Sequence, residues 1–122
     1  MKTLIAILCA TGLLLGQQRD GNFTIRLEPR AVLQAGVEIP FAIHVTDDLH
    51  KPLINATTTL QIETPQHTRV KVYKATEIES GVYLAKPIFP VAGHWSVYVE
   101  IHRADEMSAR TIDYDVPAEA TP

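Results

Sequence analysis

The chain has 122 residues, 46% of them hydrophobic, and a formal net charge of -3. It therefore has room for one domain with one core, and it offers no basic surface of the kind that grips nucleic acid. Its one cysteine, Cys9, lies in the N-terminal apolar segment, so a domain that has shed that segment holds neither a disulfide nor a thiolate metal site and must be stabilised by packing.

Residues 1–16, MKTLIAILCATGLLLG, open with Lys2 and run on as an uncharged apolar stretch up to the polar Gln17-Gln18-Arg19-Asp20, which is the layout of a secretory signal peptide. The apolar run at 4–15 reaches about 18 Å as a helix, short of the ~30 Å hydrocarbon core of a membrane. Gly16 is the small residue nearest its end, where an A-x-A cleavage pattern is missing, so both a cleaved signal and an uncleaved N-terminal anchor follow from the pattern. Either places the domain outside the cytoplasm, in the periplasm or secreted. Residues 17–22 read as a linker, 23–116 as the folded domain and 117–122 as a flexible tail.

Beyond the signal the hydrophobic period is two throughout, the period of a pleated strand with one buried face. Phe23, Ile25 and Leu27 alternate with polar residues over 22–28, and Pro29 and Gly36 bracket a crossing or a bent edge. Val37, Ile39, Phe41, Ile43 and Val45 form the cleanest alternation, with Pro40 marking an edge or a bulge. Asp47-Asp48 and Pro52 carry turn chemistry. Strands are predicted over 55–64, from the β-branched run at Thr57, Thr58 and Thr59, and over 69–74, from Val70 and Val72, with Pro65-Gln66-His67 between them.

The stretch at 81–101 holds the centre of the pattern. Tyr83, Ala85, Pro87 and Phe89 recur at every second residue, the chain breaks at Pro90 and Gly93, and Trp95, Val97, Val99 and Ile101 resume the alternation. Residues 103–106 read as a loop, and Ile112, Tyr114 and Val116 as a last strand. About seven short strands with no convincing helix after residue 16 predict an all-β fold, an immunoglobulin-like antiparallel sandwich. Trp95 is expected to plug the space between its sheets.

The central residues Gly81-Val82-Tyr83, then Pro90-Val91-Ala92-Gly93-His94-Trp95, resemble the Gly-x-Tyr and Pro-x-x-Gly-x-Trp signature of the YtkA-like domains, which are related to the extracytoplasmic part of FixH. The resemblance implies a sandwich domain in copper handling or in heme-copper oxidase assembly. Members of that family carry methionines and a histidine ahead of the Gly-x-Tyr strand. The corresponding stretch here, Glu63-Thr64-Pro65-Gln66-His67-Thr68, keeps the histidine and has no methionine.

Of the residues suited to chemistry, the five histidines stand out. In an immunoglobulin-like order His67 and His94 fall at one end of the sandwich, and His50 and His102 fall with Met107 at the other, while His44 is alone on an outward face. Imidazole and carboxylate suit divalent copper or zinc, and imidazole with thioether suits reduced copper. His67 with His94 is the first candidate metal pair, and His50, His102 and Met107 are the second. Ser80 and Ser96 lack any motif that would activate a hydroxyl, so a non-enzyme is expected. Two functions follow: an extracytoplasmic accessory domain for copper, or a metal-free module that binds a protein partner in the cell envelope, the polar strand face of Thr57, Thr58 and Thr59 beside Gln61 being compatible with the second.

Overall fold

The computed structural model describes residues 19–20 and 22–118, so the predicted signal and the end of the predicted tail fall outside the described residues. Within them lie nine strands and no helix. One layer is a five-stranded sheet in the order β1 (Arg19–Asp20), β9 (Glu106–Val116), β8 (Gly93–Arg103), β4 (Thr57–Glu63), β5 (Val70–Lys74). The other is a four-stranded sheet in the order β2 (Thr24–Pro29), β3 (Phe41–Thr46), β7 (Val82–Ala85), β6 (Thr76–Glu79). Apart from β1, which runs parallel to β9, every pairing is antiparallel. The all-β sandwich expected from the sequence is the fold.

The alternations of β3 and β8 place the core as expected, whereas Val37 is 39% exposed ahead of β3, and Thr58, expected on a polar face, is buried because it shares the inner face of β4 with Leu60 and Ile62. Trp95, Val97, Val99 and Ile101 of β8 face inward against Phe41, Ile43 and Val45 of β3 and Tyr83 of β7, and all are essentially inaccessible. Phe89, in the connection after β7, stands edge-on to Trp95 with ring centres 5.6 Å apart, and Phe41 meets Tyr114 edge-on at the same distance, so the second pair bridges the two layers in a favoured geometry. Trp95 is 1% exposed, and its Nε1 donates to the Val91 carbonyl at 2.9 Å, which satisfies its one polar atom.

Several boundaries differ from those read in the sequence. β3 begins at Phe41 because Pro40 has no N–H to give a ladder; the chain before it is held singly, by Ile39 N–H to the Pro87 carbonyl and Arg30 N–H to the Pro40 carbonyl. After β5 the chain passes through Ala75 into β6 on the opposite sheet, a strand the sequence did not announce because Thr76, Ile78 and Glu79 are all exposed and no alternation is imposed on them. β9 begins at Glu106, well before the predicted start at 112, for the same reason: Ala109, Arg110 and Thr111 lie exposed near a sheet edge. Part of the predicted linker, Arg19–Asp20, pairs with Glu106 and Met107. At the start of the predicted tail the Pro117 carbonyl accepts the Ala35 N–H at 2.9 Å.

The register fixes two ends. Glu63 pairs with Ser96 and Gly36 N–H bonds the Phe89 carbonyl, so residues 64–69, 86–92 and 30–40 share one end. Thr57 pairs with His102 and Val45 N–H bonds the Gly81 carbonyl, so residues 47–56, 80–81 and 104–105 share the other.

Candidate functional site

The structure places His67 and His94 at the same end, as the topology required. His67 sits in the left-handed region at φ 57°, in the turn between β4 and β5, where its N–H donates to the Thr64 carbonyl. Its Nδ1 lies 2.7 Å from Glu63 Oε2. His94, the second residue of β8, lies opposite Asp115 of β9, and its Nδ1 contacts that carboxylate. Each imidazole thus has its Nδ1 tied to an acid and its Nε2 left for a ligand, which is the way second-shell carboxylates orient metal-binding histidines. The donor set nevertheless falls short of a closed site: among the described residues no group of three or more His, Cys, Asp and Glu side chains is placed to hold one ion.

The second expected cluster is spread between a turn and a sheet face. His50, at φ 62°, belongs to a turn built by Asp47, whose Oδ1 accepts the N–H groups of Leu49 at 2.9 Å and Lys51 at 3.0 Å. Those bonds, the one from Lys51 foremost, hold the Asp47 carboxyl below its ordinary pKa. His102 lies on the outer face of β8, where its Nε2 contacts Glu100, and Glu100 also accepts the Tyr98 hydroxyl at 2.7 Å. Met107 stands opposite His102 on β9. His44 is not alone: its Nε2 lies 3.0 Å from Glu28 Oε1, and this hydrogen bond is the main reason the Glu28 carboxyl titrates below its ordinary range. The partner was hidden in the sequence because the two residues are 16 apart and meet only through the β2/β3 register.

A feature that sequence reasoning missed lies at the same end as His67. Between the edge strand β5 and residues 86–92 runs a groove of about 430 Å³, lined by Ile62, Val70, Tyr73, Ile88, Pro90 and Trp95 among others. Tyr73 fixes its far wall, since the hydroxyl accepts the Ile88 N–H at 3.2 Å and donates to the Ile88 carbonyl at 3.4 Å. Its rim carries bare apolar side chains: Val70 and Ile88 are 52% and 39% exposed. Three separate segments build the groove, so no local pattern spells it; the available signal was the Val-Lys-Val-Tyr-Lys run of β5, valines on a strand too polar to be central.

No protein-family model matches the chain, and no curated protein matches it at a significant level. Among solved structures it is similar to a DUF4785 family protein from Legionella pneumophila subsp. pneumophila, with a TM-score of 0.57 and 13% identity over 79% of this chain. The match spans 28% of that longer chain, and at this identity the likeness is one of fold alone.

Proposed function

We propose that the chain is a non-enzymatic, extracytoplasmic domain of the bacterial cell envelope that binds a protein partner without a metal. The observation that carries this reading is the apolar groove beside β5, an open concavity with exposed Val70 and Ile88 on its rim in a domain whose core is otherwise closed. The layout of residues 1–16 and the resemblance to YtkA-like domains support the compartment.

A second reading, an accessory domain in copper handling, is favoured by one observation, the carboxylate-oriented imidazoles of His67 and His94 at one end. Two imidazoles make an incomplete shell, so a partner or water would fill the remaining positions. Titration of the chain with Cu(II) and Zn(II) at neutral pH, by calorimetry, separates the two. The partner-binding reading expects no saturable site for either ion. A stoichiometric copper site lost in both His67→Ala and His94→Ala would replace it with the copper reading, and loss in His50→Ala or His102→Ala would move that site to the opposite end.

A further inference from the structure

We propose that the free edge of β5 takes up an extended acidic segment of a partner protein as an added strand, with alternate side chains of that segment entering the groove; this deepens the partner-binding reading and rests on it. β5 ends the five-stranded sheet. Ala75 N–H bonds the Thr58 carbonyl at 2.9 Å and Thr64 N–H bonds the Arg69 carbonyl at 3.2 Å, which sets the alternation of the β4/β5 ladder. Lys71 and Tyr73 therefore turn their main-chain groups toward β4, and Val70, Val72 and Lys74 turn theirs toward the free edge. Those three residues offer a row of unpaired donors and acceptors, the template on which an extended chain adds to a sheet. The side chains of an added strand continue the pleat, so every second one would point the way Lys71 and Tyr73 do, toward Ile88 and Pro90.

Charge selects the occupant. Arg69, Lys71 and Lys74 line the edge, and Lys86 lies beyond Tyr73 with Lys74. None of the four is in an ion pair with a described residue, although the chain as a whole carries -3. Lys71 Nζ stands 5.2 Å from the centre of the Tyr73 ring, at the mouth of the groove. A second copy presenting the same edge would set lysine against lysine, so these cations oppose self-pairing and favour a strand rich in Asp and Glu.

The test is selection of displayed random ten-residue peptides on the full chain, followed by affinity measurements on the winners. Enrichment of apolar residues alternating with Asp or Glu is expected, with affinity falling at least about tenfold in Val72→Pro and in the double variant Lys71→Glu/Lys74→Glu. Val72→Pro removes an amide that faces the free edge and spares the β4 ladder, and the charge variant keeps the proposal testable if the proline unsettles the strand. Failure to enrich any peptide, winners without acidic residues, equal affinity for both variants, or self-association through β5 in sedimentation would each overturn strand addition. Winners that bind at another face would overturn it and leave the partner-binding reading standing, whereas a copper site in the metal titration would remove that reading itself.

Discussion

The Tyr83 hydroxyl donates to the Leu53 carbonyl at 2.7 Å and accepts the Ala56 N–H at 3.0 Å, so one phenol on β7 closes both ends of a turn some thirty residues earlier in the chain. Tyr83 is buried, and burial is the chief cause that lifts its hydroxyl above the ordinary tyrosine pKa. Tyr83→Phe keeps the ring and strips both bonds from the main chain. It should cost about 1 to 3 kcal/mol, the penalty for buried polar groups left unsatisfied, read as a lower urea midpoint at unchanged slope. An unchanged midpoint would mean that water reaches Leu53 and Ala56.

Gly81 and Gly36 make a matched pair. Both have positive φ, +75° and +84°, but a Cβ at Gly81 would fall 2.7 Å from Pro52 Cβ and 2.9 Å from the Val45 carbonyl oxygen, whereas one at Gly36 meets nothing within 4 Å. Gly36→Ala should carry only the left-handed backbone cost of about 1 to 2 kcal/mol. Gly81→Ala should carry that cost and the overlap as well, so thermal melting must place it clearly below Gly36→Ala. Equal melting temperatures would show that Pro52 yields without resistance.

Trp95→Ala empties the space under Phe89 and should cost about 3 to 5 kcal/mol, a large share of the stability of a domain this size. Because Trp95 also floors the groove, the same variant should lose any peptide selected at β5. Retention of full stability would contradict its burial.

How much of this was visible beforehand depended on burial. The residues with one face in the core, from Phe41 to Val45 and from Trp95 to Ile101, announced themselves by period two, and Trp95 and Phe89 were placed in the core by that rule. Edges are under no such constraint. β6, the first half of β9 and β1 were missed because neither face of an edge segment need be apolar. His67 and His94 were brought to one end by topology alone, while the carboxylates that engage them, Glu63 and Asp115, depended on the local turn and on strand register. The groove joins segments 62, 68–73 and 88–95 and has no signature in any one of them.

Glu100 gives the acid limb of the stability curve a testable slope. The His102 hydrogen bond first, and the Tyr98 hydroxyl next, hold its carboxyl below the ordinary value. The pKa is lowered in the folded state, so the contribution is present above the ordinary glutamate value of about 4.3 and fades as pH falls through the lowered one. Glu100→Gln should therefore lose less stability than the parent on acidification below about pH 4.3, by a small margin because the group is partly solvated. Parallel urea midpoints for the two proteins across that window would show that the contact does not persist in solution.

The chain enters the described structure at β1, beside Glu106, which in turn pairs with Arg103 at the far end of β8. Trp95, and with it the floor of the groove, lies near the other end of that eleven-residue strand. Arg19 thus lies roughly 26 Å along the strand from Trp95, the eight steps from Trp95 to Arg103 at about 3.3 Å per residue. The sandwich acts as a spacer as well as a scaffold: it sets the strand that first joins β9 and the floor of the groove at opposite ends of β8.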